Sequence, residues 1–146
     1  MLTAQIALVQ STFALVRPIA PAATELFYAQ LFRLDPSLRP MFQRDMATQG
    51  RMLMAALGGA VNGLAQLESL IPVVRRLGAR HAEYGVQAAH YETVGIAVLW
   101  MLDQVLAERF TPEVRQAWAQ AYDLLAGVMQ AGARELVSTE QALVAH

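Results

Sequence analysis

The chain has 146 residues, 55% apolar and only 16% charged, with a formal net charge of −1. That length suits one domain with a substantial core, and the composition excludes a disordered chain and lacks the basic stripe of nucleic-acid binders. All eleven Lys+Arg positions are arginine and there is no cysteine, which excludes lysine Schiff bases, a phosphate-loop lysine, disulfides, thiolate nucleophiles and zinc–thiolate or iron–sulfur sites.

The opening Met1-Leu2-Thr3-Ala4-Gln5 lacks the basic region of a signal peptide. Residues 1–16 and 52–67, the longest uncharged runs, are interrupted by polar residues and fall short of the ~20 that span a bilayer. A cytoplasmic protein with no membrane or nucleic-acid partner is expected. Helix signals recur throughout and period-two alternation is absent. Thr3 can cap a first helix whose apolar positions Ile6, Val9, Phe13 and Val16 run to Pro18. Pro21 suits the first turn of a second, followed by Leu26, Phe27, Tyr28, Leu31 and Phe32. Asp35-Pro36 starts a one-turn helix limited by Pro40, and residues 42–48 read as an irregular corner.

A long helix is expected over 49–66, with Leu53, Ala56, Leu57, Ala60, Val61 and Leu64 inward. Gly58-Gly59 in its middle costs roughly 1 kcal/mol per glycine against alanine and predicts another backbone packed close. Ser69 can cap the next helix, with Pro72 in its first turn and Gly85 as its stop. A helix over about 88–109 points Tyr91, Val94, Val98, Leu102 and Val105 inward. Thr111-Pro112-Glu113 caps the last one, where Val114, Trp118, Tyr122, Leu125, Met129 and Leu136 keep the helical period. The order predicts an all-α fold of about seven helices, five or six long and one short. Residues 1–137 form the domain and 138–146 a frayed tail.

His81 ends the apolar stripe Ile71, Val74, Leu77. A basic side chain there must be satisfied, because an unpaired buried polar group costs about 1–3 kcal/mol. By spacing alone it is either a core histidine bonded to a carbonyl or a ligand.

The residues Phe27-Tyr28-Ala29-Gln30-Leu31-Phe32, Arg39-Pro40-Met41-Phe42, Leu77-Gly78-Ala79-Arg80-His81, Gly85-Val86, Ala89-His90-Tyr91, Val94-Gly95, Ala117-Trp118 and Ala121-Tyr122 occur in this order. Together they resemble the globin family, and within it the single-domain bacterial haemoglobins related to the haem domain of flavohaemoglobins. The resemblance implies a globin fold around haem b, with His81 as the proximal iron ligand and its other ring nitrogen donating to a carbonyl near Leu77. It places Phe42 flat against the haem and Tyr28 and Gln49 over the bound gas, with Leu53 crowding it. Leu57, Leu77, Val86, Val94 and Val98 join the pocket lining. Arg80 and Arg51 are candidates for propionate contacts or solvated surface charges. His90 is expected to be structural or at the surface, so a bis-histidine haem is not.

The same relatives set a tyrosine and a glutamate beside the proximal imidazole. Tyr91 matches the tyrosine, but the glutamate position falls on Ala133. Glu135, two residues on, lies about 200° further round a helix. That departure weakens peroxidase-like activation of the imidazole. The resemblance therefore implies a gas-binding protein for O2, CO and NO, an oxygen-binding or oxygen-transport role with no catalytic residue. The alternative is an NO dioxygenase served by a separate reductase, since no G-x-G-x-x-G nucleotide motif occurs. A monomer or homodimer is expected.

Overall fold

The computed structural model describes the backbone of residues 1–145 and the side chains through Leu136 and of Ser138. Among the described residues there is no strand. Six α-helices follow one another: α1 (Thr3–Val16), α2 (Ala20–Leu34), α3 (Met46–Gly63), α4 (Leu67–Glu83), α5 (Ala88–Leu106) and α6 (Pro112–Ala145). A 3-10 helix, Pro36–Met41, is the expected short element between α2 and α3, and three further 3-10 turns, Arg17–Ile19, Leu64–Gln66 and Ala107–Arg109, join neighbours. The expected all-α architecture is borne out.

Most helix ends follow the residues that signalled them. Asp35 accepts the Ser37 N–H at 3.1 Å and opens the short helix. Thr111 Oγ1 accepts the Val114 N–H at 3.2 Å and opens α6. Gly85 stops α4 in the left-handed region, at φ 91°, where the missing Cβ removes the steric penalty. Three starts differ from expectation. Thr3 is the first residue of α1, not its cap; Gln5 Oε1 instead accepts the Leu2 N–H at 3.1 Å. The corner is shorter than 42–48, because Asp45 caps α3 by accepting from Thr48 N at 3.0 Å and from its hydroxyl at 2.8 Å.

Ser69 is not a cap, and Pro72 lies inside α4 instead of its first turn. The 3-10 turn at Leu64–Gln66 leads directly into α4, which buries Leu64 and Leu70. Burying two leucines is worth about 1.5–3 kcal/mol each, against ~1 kcal/mol for a serine cap, so packing sets the boundary.

The core draws on every helix, with Val9 and Phe13 from α1, Leu31 from α2, Val61 from α3, Leu102 from α5 and Trp118 from α6 all buried. Trp118 Nε1 donates to Thr12 Oγ1 at 2.9 Å and ties α6 to α1. Thr3–Leu34 and Met46–Glu83 are long and apolar enough to cross a membrane by length and composition, although their uncharged runs alone are too short. Each is broken by a 3-10 turn and contributes side chains to the shared core. The helical backbone continues from Ser138 to Ala145; side chains of the expected frayed tail other than Ser138, and all of His146, lie outside the described residues.

Gly58-Gly59 does not meet another backbone. A Cβ on Gly58 would lie 3.1 Å from the Arg17 guanidinium and 3.4 Å from the Phe13 ring, and one on Gly59 would meet open space. Backbone contact occurs instead between α4 and α6. A Cβ on Gly78 would collide with the Met129 carbonyl, and one on Gly132 with the Arg75 carbonyl. These two glycines let the helix bearing His81 lie directly on the last helix.

Candidate functional site

His81 sits half-buried in the last turn of α4. Its Nδ1 lies 2.8 Å from the Leu77 carbonyl. A carbonyl only accepts, so Nδ1 carries the proton and Nε2 keeps its lone pair. Behind His81 the chain folds back through Gly85, and the Val86 N–H bonds the His81 carbonyl at 3.0 Å. The imidazole is thus oriented from one turn before, and the connection to α5 is pinned to its backbone.

On α5, Tyr91 is buried and its hydroxyl has no hydrogen-bond partner among the described residues. Burial raises its pKa. The neighbouring Tyr122 is different, because its hydroxyl donates to the Tyr91 carbonyl. Its ring fills the space over Gly95, where a Cβ would lie 2.8 Å from Cε2. Burial, and secondarily Tyr91 and Asp123, raise the Tyr122 pKa. Glu135 is on the outer surface, its side chain 60% exposed and 3.5 Å from Arg75 Nε, as the helical angle from position 133 requires.

Across the fold, Tyr28 on α2 is only 6% exposed. Its ring lies 5.0 Å from Phe27, 5.3 Å from Phe42 and 5.9 Å from Phe32, measured between centroids. Phe42 is half-buried at the corner, with Phe32 5.4 Å away. The Tyr28 hydroxyl donates to the Gln49 carbonyl on α3 at 3.2 Å. Burial pushes the phenol up to about 12, so at neutral pH it is a donor and not a phenolate. Leu53 and Leu57 follow Gln49 at one-turn intervals, both half-buried. Met41 Cε lies 3.8 Å from where a Cβ on Gly85 would stand, so the corner before α3 abuts the turn after His81.

The remaining candidates divide cleanly. Val98 is buried, while Leu77, Val86 and Val94 are half-buried. Arg80 and Arg51 are both exposed, and Arg51 donates to Thr48 Oγ1 at 3.1 Å. His90 Nδ1 accepts the Gln87 N–H at 2.9 Å at the start of α5, a structural use. Sequence reasoning missed Thr24, Gly50, Gly78 and Gly132 as positioning residues. The three glycines gave no signal beyond glycine within helical pattern, which was stronger at Gly58-Gly59, and Thr24 gave none.

The donor set suits a haem. Among the described residues no group of three or more His, Cys, Asp or Glu could hold a bare metal ion. A tetrapyrrole brings four nitrogens of its own and asks the protein for one oriented, neutral imidazole and apolar walls. His81, with Nδ1 on the Leu77 carbonyl, fits the first need, and the chain offers apolar side chains for the second in Phe42, Leu53, Leu57, Val94 and Val98, all buried or half-buried.

Known proteins point the same way. The globin family model matches residues 25–129. Flavohaemoproteins of Bacillus subtilis and Vibrio cholerae are each 32% identical over 124 residues, 83% of this chain and 31% and 32% of their own lengths. That of Bordetella parapertussis is 33% identical over 142 residues, 95% of this chain and 34% of its own. The chain thus spans about a third of these relatives. Among solved structures, an engineered carbene transferase made from a candidate nitric oxide dioxygenase of Rhodothermus marinus superposes with a TM-score of 0.85 at 25% identity, covering 97% of this chain and 99% of that one. An all-α fold, a carbonyl-oriented histidine and these likenesses converge: the chain belongs to the globin family and resembles the haem domain of flavohaemoproteins.

Proposed function

We propose that this globin holds haem b through His81 Nε2 and reversibly binds O2, CO and NO. The observation that carries the reading is the 2.8 Å bond between His81 Nδ1 and the Leu77 carbonyl, which fixes the tautomer and leaves Nε2 to ligate. Haem iron, when bound, supplies the open coordination position where a diatomic gas sits. The chain's residues do the rest. Phe42 would pack against the haem, and Val86, Val94, Val98 and Leu77 would line its His81 side. Tyr28 offers a hydrogen bond to the gas, Gln49 borders the distal mouth, and Leu53 and Leu57 exclude water. Arg80 is exposed at the surface, where it would be free to meet a haem carboxylate or solvent.

Gas binding is favoured over turnover by the proximal side. A carboxylate bonded to this region would make the imidazole more electron-rich and promote O–O chemistry. Here the Tyr91 hydroxyl has no partner among the described residues, and Glu135 faces Arg75 at the surface. The second reading, NO dioxygenase with a separate reductase, rests on the similarity to the Rhodothermus marinus protein and on the buried donor Tyr28. The purified protein should show a haem Soret band that shifts on adding CO to the reduced form; no haem band after reconstitution would overturn the reading. Sustained nitrate formation from NO with a supplied reductase would move the choice to the enzyme.

A further inference from the structure

The Tyr28 hydroxyl has a single hydrogen to donate, and it points at the main chain of Gln49. At 3.2 Å the bond is longer than the usual O–H···O range. The two partners are not equally dependent on it. Gln49 lies inside α3, where its carbonyl has the N–H four residues on as an intrahelical partner. It loses little if the phenol leaves. The buried phenol needs an acceptor wherever it turns, and an oxygen or nitrogen atom of a gas in the pocket can provide one.

What holds the carbonyl in reach is the crossing of α2 and α3 one residue further on. A Cβ on Gly50 would stand 2.7 Å from Thr24 Oγ1 and 3.1 Å from Thr24 Cβ. Thr24 cannot easily give way. It is buried, and its hydroxyl is fixed on the Ala20 and Pro21 carbonyls at 3.0 and 3.2 Å; its branched Cβ also limits the rotamers open to it. Only glycine therefore lets α3 approach α2 this closely.

We propose that Gly50, seated on Thr24, is a positioning residue that holds the Gln49 carbonyl on the Tyr28 hydroxyl, so that helix α3 and a pocket gas compete for one proton. This rests on the haem reading above. The seam between α2 and α3 then sets how much of the Tyr28 hydrogen bond a gas receives. Pushing α3 outward strengthens the hold on O2, whereas removing the phenol weakens it.

The test uses the haem-loaded full chain as wild type, Gly50→Ala, Tyr28→Phe and Gly50→Ala combined with Thr24→Ala. Ultraviolet resonance Raman difference spectra against Tyr28→Phe isolate the Tyr28 phenol before any gas is added. Its hydroxyl-sensitive band should shift in Gly50→Ala and return in the combination, where Oγ1 no longer blocks the new methyl. With CO bound, the C–O stretch should fall in Gly50→Ala, and O2 release should slow by roughly threefold to tenfold. An unshifted Tyr28 band in Gly50→Ala overturns the positioning role. A shifted band with unchanged C–O stretch and O2 release overturns the competition. If Gly50→Ala does not fold, Thr24→Val, which sets a methyl against Gly50 in place of Oγ1, is read by the same criteria. Failure of the wild type to take up haem would instead bring down the functional reading, and this proposal with it.

Discussion

The two sides of the proposed haem pocket are held in opposite ways. On the proximal side His81 is oriented by its own helix, through a 2.8 Å bond to a carbonyl one turn back, and that helix is seated backbone to backbone on α6. On the distal side Tyr28 is held by a 3.2 Å bond to a different helix, beyond an irregular corner. A locally specified anchor resists change, and a long-range contact between two helices can be shifted by one methyl group. The proposed axial ligand needs the first and the proposed gas donor the second.

The largest effect expected from breaking this comparison is on the anchor. His81→Ala should abolish tight haem retention, read as haem content after purification; normal content would refute the proximal assignment. Gly132→Ala attacks the same side indirectly, because its Cβ would collide with the Arg75 carbonyl, which cannot swing aside as a side chain can. Overpacking of this kind costs about 1–3 kcal/mol, so a lowered Tm with faster haem loss is expected, and an unchanged Tm would show that the seam yields. On the distal side, Tyr28→Phe should speed O2 dissociation by about tenfold, the value of one hydrogen bond, by stopped-flow displacement with CO.

A smaller change comes from restoring an acid. Ala133→Glu should raise the iron–histidine stretching frequency in the resonance Raman spectrum if a carboxylate there reaches the group around Tyr91. The smallest effect is in alkali. The Tyr28 pKa is raised from 10.0 to about 12, so the folded state keeps a proton that the unfolded chain loses. Its contribution is full below about pH 10 and declines as pH rises toward 12. Tyr28→Phe should flatten that part of the stability profile, with Tyr91 and Tyr122 leaving a residual slope.

The contrast also explains what could be read in the sequence. His81 and its Leu77 carbonyl share one helix, so the bond that the resemblance implied needs no second element, and Gly85, Thr111 and Asp35 acted where they stood. The distal arrangement depends on where α3 starts and how closely it crosses α2. Asp45 moved that start from 49 to 46, and the fit of Gly50 on Thr24 leaves no periodic trace. Gly58-Gly59 misled for the same reason, since a glycine pair signals room without saying what fills it. The alanine at the glutamate position that the resemblance implied was legible as Ala133, and among the described residues the Tyr91 hydroxyl has no hydrogen-bond partner.

The glycine seam between α4 and α6 also bears on the order of biosynthesis. Arg75 and Gly78 meet Gly132 and Met129, residues far apart along the chain, so closing the contact requires a long loop to be ordered. While the ribosome has released α4 but not α6, the surface on which the His81 helix rests does not yet exist. On the proposed haem reading, the seat of His81 would be completed last.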